Sequence, residues 1–104
     1  MKYLICSDIH GSYTACKKVI DQFNSLQCDF LVLLGDILYH GPRNSLPEGH
    51  NPQKVAELLN TYSDKIIACR GNCDAEVDQM VLNFPIMQDY AFFIDEGKRI
   101  FCTH

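Results

Sequence analysis

The sequence predicts an α/β fold in which short parallel strands alternate with helices. Three observations predict it. Apolar runs of strand length alternate with amphipathic stretches of helical period from Lys2 to Cys69. Polar residues able to do chemistry gather just after the strand-like runs. Beyond Asn72 the alternation gives way to two apolar runs around a turn, the pattern of a hairpin.

Lys2 to Cys6 is a short apolar run, the length of a buried strand. Ser12 can cap a helix reaching about Leu26, with Cys16, Val19, Ile20, Phe23 and Leu26 at helical spacing. Phe30 to Leu34 is continuously apolar and reads as a second buried strand. A long loop from Ile37 to about Asn51 is punctuated by Gly41, Pro42, Pro47 and Gly49. Asn51-Pro52 starts a second helix, Asn as N-cap and Pro at the first helical position. Val55, Leu58, Leu59 and Tyr62 make its apolar stripe, and Lys65 to Cys69 reads as the third strand. A helical turn is expected near Ala75 to Val81. Tyr90 to Ile94 and Arg99 to Thr103 then flank the turn Asp95-Glu96-Gly97-Lys98.

The 104 residues are 47% hydrophobic, enough for a packed core, so disorder is not expected. Nine basic and thirteen acidic residues give a net charge of −4, with no block of like charge. That balance argues against an extended nucleic-acid surface but admits a small phosphorylated ligand whose charge is met by metal ions. No apolar stretch reaches membrane-spanning length. The six cysteines invite a disulfide framework. Against it, Met1-Lys2 leads straight into a strand without a secretory leader, and Cys6, Cys69 and Cys102 lie inside apolar runs. Reduced thiols in the cytoplasm are the expectation.

Four strand ends carry the candidate chemistry: Asp8-Ile9-His10, Gly35-Asp36, Gly71-Asn72-Cys73-Asp74 and Thr103-His104. In open α/β sheets, ligands bind beyond the carboxyl ends of the strands. Residues two apart in extended backbone point the same way, so Asp8 and His10 are expected to reach one ion with Ile9 in the core. Asp36 carries two oxygens and can bridge two ions, and the Asn72 carbonyl is a neutral oxygen ligand. Each residue also has a plain structural reading: a helix-capping Asp, a loop His, turn-closing Asp and Asn. A zinc site from Cys69, Cys73, Cys102 and His104 can be drawn, but neither pair has the usual knuckle spacing. Gly11 could present backbone N–H groups to a phosphate at the start of the first helix.

Taken in order, Asp8-x-His10, Gly35-Asp36 and Gly71-Asn72-x-Asp74 resemble the metallophosphoesterase (calcineurin-like) superfamily. Ser7 to Ser12, Leu34 to Asp36, His40 to Asn44, Arg70 to Asp74 and Glu76 to Met80 look like its YfcE-type bacterial phosphodiesterases, along essentially the whole chain. The resemblance implies an αββα sandwich, of which this chain would be the N-terminal β-α-β-α-β part plus a hairpin. It implies two divalent ions, Mn²⁺ first, with Mg²⁺, Zn²⁺, Fe²⁺ or Ni²⁺ as alternatives. Asp8 and His10 would bind the first ion, Asp36 both, and Asn72 and His104 the second. A metal-bound hydroxide would attack a phosphodiester or related ester, with Asp36 and Asn72 in catalytic roles. Arg43, His40 and Cys73 would border the substrate. Cys73 stands where many members carry a His, which leaves the general acid unassigned. The chain stops at the first His of a His-Gly-His motif, and a later Gly-His-x-His motif is missing. Residues 1–104 are therefore expected to be part of one domain and a weak enzyme alone, and a homo-oligomer stays open. The alternatives are a scaffold protein that kept the fold without catalysis, and an inactive fragment.

Overall fold

The computed structural model describes all 104 residues. Strands β1 (Tyr3–Cys6), β2 (Phe30–Leu33) and β3 (Ile66–Ala68) form a parallel sheet in that order. Helix α1 (Tyr13–Ser25) joins the first two strands, and α2 (Pro52–Asn60) the last two. A one-turn helix α3 (Glu76–Gln79) follows, then the antiparallel hairpin β4 (Tyr90–Asp95) and β5 (Lys98–Thr103). Both expected helix caps form: Ser12 Oγ accepts from Ala15 N at 3.1 Å, and Asn51 Oδ1 from Lys54 N at 3.2 Å. The hairpin turns on Glu96 and Gly97, with φ of 50° and 77°, as a two-residue turn that follows the twist of its strands requires.

Strand alternation sorts the apolar side chains into two cores. Leu31, Leu33, Ile66 and Ala68 face α1 and α2, where they meet Cys16, Ile20, Phe23, Val55 and Leu59. Val32, Ile67 and Cys69 face the other way and meet Ala91, Phe93, Ile100 and Cys102 of the hairpin. The result is three layers: helices, parallel sheet, hairpin. The hairpin reaches β1 at Tyr3, whose ring lies 4.7 Å from that of Phe93, but leaves Ile5 53% exposed. The hairpin's outer face is also open, with Phe92, Ile94 and Phe101 at least half exposed. All six cysteines are free thiols.

One expected core position fails, and one buried segment has no counterpart in the side-chain pattern. Leu26 is 46% exposed because it is the C-cap of α1, past the last inward turn. The irregular segment after α3 buries Leu82, Phe84 and Ile86 in strand-like alternation without joining a sheet. The Gln79 amide supplies its hydrogen bonds instead. Its Nε2 donates to the carbonyls of Leu82 (3.1 Å) and Phe84 (2.8 Å), and its Oε1 accepts from Ile86 N (2.7 Å).

Register fixes the edge that matters. Cys6 lies opposite Leu33, and Leu33 opposite Ala68, so the three strands end in one row. Whatever follows each strand emerges at one edge. Leu59, fully buried under the sheet, holds α2 in place. Leu59→Ala is expected to destabilise the fold by about 3 kcal/mol in urea unfolding, the cost of a core cavity. A loss below 1 kcal/mol would show that α2 is not packed as described.

Candidate metal centre

Four loops meet at that edge, and a carboxylate joins two of them. Asp74 is 3% exposed. Its Oδ2 accepts from Asp36 N (2.8 Å) and Gly71 N (2.7 Å), and its Oδ1 accepts from Ile37 N (3.0 Å). The turns after β2 and β3 are thereby held together. They pack so closely that a Cβ on Gly35 would strike the Gly71 backbone, and one on Gly71 would strike the Asp36 carboxylate.

Asp36 sits at the centre and is 2% exposed, not the solvent-facing residue that its place after a strand suggests. Its Oδ1 accepts from Cys73 N at 2.7 Å. Its Oδ2 faces two imidazoles, 3.7 Å from His10 Nε2 and 3.3 Å from His104 Nε2. One oxygen is held by backbone and the other is presented to the site. His10 Nε2 also lies 3.0 Å from Asp8 Oδ1, and His104 Nε2 lies 2.8 Å from Asn72 Oδ1. Metal-capable atoms of Asp8, Asp36 and His104 lie within 4.8 Å of one another, as do those of His10, Asp36 and Cys73. The five expected ligands are thus brought to one place.

Asp8 and His10 arrive there by an unexpected route. Their φ angles are 62° and 51°, so the backbone is left-handed at both positions rather than extended. Ile9 between them is buried, as expected. Asp36 shares the conformation, with φ of 55°. Non-glycine residues seldom adopt it, and it gathers at functional sites.

Both histidines have their tautomer set by main chain. Nδ1 of His10 donates to the Tyr39 carbonyl at 2.8 Å, and Nδ1 of His104 to the Leu34 carbonyl at 2.6 Å. A carbonyl can only accept, so the proton sits on Nδ1 and the neutral ring turns a lone pair outward from Nε2. That lone pair faces the oxygens of Asp8, Asp36 and Asn72. Acceptors facing acceptors need a proton or a cation between them, and this is how metal-binding histidines are oriented. Burial pulls the His10 pKa down, but the Tyr39 carbonyl and the Asp8 and Asp36 carboxylates outweigh it, leaving it raised. The Ser7 hydroxyl, donating at 2.6 Å, and His10 lower the pKa of Asp8 against the effect of its burial. Burial, with Asp36, Asp74 and Asp8 nearby, pushes the Cys73 thiol up and away from thiolate. The nitrogen and oxygen donors therefore fit a divalent cation of intermediate hardness.

Other expected residues stand apart. Arg43 is exposed and makes no ion pair. The His40 ring packs edge-on against His50, centroids 5.4 Å apart, rather than on the ligand cluster. Gly11 N is used within the fold, donating to the Ile37 carbonyl at 2.8 Å, and is not free for a phosphate. Cys69 and Cys102 lie in the core under the hairpin, while Cys73 sits beside Asp36, so no three-thiolate zinc site forms.

Residues 1–104 match the calcineurin-like phosphoesterase family along their whole length. The chain belongs to that family. It is 53% identical over all 104 residues to phosphodiesterase YfcE of Escherichia coli K12, and equally to that of Escherichia coli O157:H7. It spans about half of these curated relatives, 56% of their length. The solved structure of Yfce, a phosphoesterase from E. coli, superposes with a TM-score of 0.97 at 52% identity, covering all of this chain and 57% of that one. The α/β architecture is thus that of the N-terminal part of the family fold.

Removing the Asp74 carboxylate would leave the buried amides of Asp36, Ile37 and Gly71 unpaired. Asp74→Ala is expected to cost about 3 kcal/mol or more in denaturant unfolding. Calorimetric binding of Mn²⁺ should weaken with it, because Asp36 loses its backbone anchor. Unchanged stability and Mn²⁺ affinity together would deny Asp74 this role.

Proposed function

We propose that residues 1–104 are the N-terminal part of a metal-dependent phosphodiesterase domain acting on a small phosphate ester in the cytoplasm. The observation that carries this reading is the convergence of His10 and His104 on one oxygen of Asp36, with Asp8 and Asn72 against the same two imidazoles, in a phosphoesterase-family chain. The 53% identical relatives are phosphodiesterases by name, which supports the phosphodiester. The six free thiols suit a reducing compartment.

In this reading Asp8, His10 and Asp36 would hold one divalent ion, and Asp36, Asn72 and His104 a second, Mn²⁺ being the favoured metal. Two such ions supply Lewis acidity toward phosphoryl oxygens and bring the pKa of a water toward neutrality. The chain's own residues do the positioning. Asp74 fixes Asp36 through the backbone amide of Asp36 itself. The Tyr39 and Leu34 carbonyls aim the imidazoles. Asn72, exposed at the rim, orients the phosphate. Arg43 is free to swing onto substrate oxygens, which its planar fork matches. Cys73 borders the substrate without attacking it, since its thiol is held protonated. Five ligands leave two ions short of the roughly four to six donors each takes. The family resemblance assigns the remaining donors to a Gly-His-x-His motif that lies outside residues 1–104.

Hydrolysis of bis(4-nitrophenyl) phosphate by the full-length protein with Mn²⁺ tests the assignment. Asp36→Asn keeps an acceptor for Cys73 N but removes the charge, so turnover should fall about a hundredfold or more while the melting temperature stays close to the parent's. Near-parental turnover would remove Asp36 from the mechanism. Cys73→Ser should retain a substantial part of the activity. Its complete inactivity with metal content intact would make the thiol essential.

A further inference from the structure

Beside the ligand cluster lies a cavity of about 540 Å³ that the assignments above leave unused. It opens between the loop after β2, helix α2 and the segment around α3. Tyr39, His40 and His50 bring aromatic rings to it, and Leu38, Val77 and Val81 make apolar walls. The volume lies within the range of small-molecule sites, roughly 300–1,000 Å³. The cavity borders the ligand cluster at the loop after β2, where Tyr39 lines the one and contacts the other. Tyr39 gives its carbonyl to His10 at 2.8 Å. His40 lines the cavity. Gly41 sits beside Cys73, where an added Cβ would lie 3.5 Å from its Sγ. The only carboxylates on the lining are Glu57 and Asp78. They disfavour an anion, so a phosphate is sent to the cation site, and the apolar and aromatic walls suit a flat uncharged group in the cavity.

From this arrangement we infer that the cavity receives an uncharged aromatic group on the side of the phosphodiester that is not displaced, and so selects among phosphodiesters by the group that stays on the phosphate. The inference rests on the phosphodiesterase reading and adds the identity of the ester group. Charge sorts the two halves of the substrate: the phosphoryl oxygens toward Asp36 and its neighbours, the flat apolar group toward His40, His50 and the two valines. Val77 and Val81 are 64% and 51% exposed, so polar replacements there alter the cavity without opening the core.

Three 4-nitrophenyl phosphodiesters sharing one leaving group decide the matter in the full-length protein with Mn²⁺: the methyl, 1-naphthyl and 5′-thymidyl esters. At least one aromatic ester should exceed the methyl ester in kcat/KM by about tenfold or more, as burial of an aromatic surface implies. A preference for the thymidyl ester alone assigns the cavity to a nucleobase, and one for the naphthyl ester to a plain aryl group. Val77→Asp and Val81→Asp should abolish the preference and leave the methyl ester's rate unchanged. Equal rates for all three esters, or a preference that survives both substitutions, would overturn the inference while the phosphodiesterase reading stands. Turnover of none of the three would sink that reading instead. Fluorescence titration with 1-naphthol then still tests the cavity: binding weakened by Val81→Asp supports an aromatic site, and its absence overturns it.

Discussion

The Asp74 carboxylate is the constraint on which the rest of the site depends. Three buried backbone amides from two separate turns converge on it. Parallel strands bring those turns to one edge but do not align them to a fraction of an ångström. A charged acceptor shared by both turns does, because each amide would otherwise be buried without a partner. Gly35 and Gly71 complete the arrangement by letting the turns close up until no side chain fits between them. Asp36 is then held at its own amide, at its Oδ1 and by the glycine packed against it. What remains free is one oxygen.

Around that oxygen the chain sets lone pairs against each other. Main-chain carbonyls take the Nδ1 protons of both histidines, so in the neutral rings the Nε2 atoms have nothing to donate to the oxygens they face. In a folded protein such an encounter is tolerated only if something positive resolves it. Burial first, and then the Asp36, Asp74 and Asp8 carboxylates, push the Cys73 thiol away from thiolate at the same edge.

Much of this was legible in the sequence, and the parts that were not share a cause. Strands, helices and both caps follow from side-chain patterns: Ser12 and Asn51 cap as expected, and Val55 and Leu59 point inward. The strand-end positions of Asp8, Asp36 and Asn72 follow from the same patterns. Main-chain conformation and main-chain partners do not. Nothing in Asp8-Ile9-His10 announces left-handed backbone, so the expected convergence was reached for a mistaken geometric reason. The carbonyls of Tyr39 and Leu34 belong to residues whose side chains carry no hint of the role. Asp74 was visible beside Asn72, but its three amide partners lie in turns whose approach only the folded chain reveals. The cavity beside His40 is likewise assembled from three separated segments.

The left-handed backbone at Asp8, His10 and Asp36 has a consequence for anyone who would engineer this scaffold. Each of these positions carries a conformation that glycine adopts freely and that costs an ordinary residue about 1 kcal/mol or more. Glycine at Asp8 or His10 would relieve that cost and delete a side chain of the candidate metal centre in one step. A library screened for heat resistance alone would therefore drift toward robust proteins with an emptied centre. Variants meant to last and still work have to be selected on both properties at once.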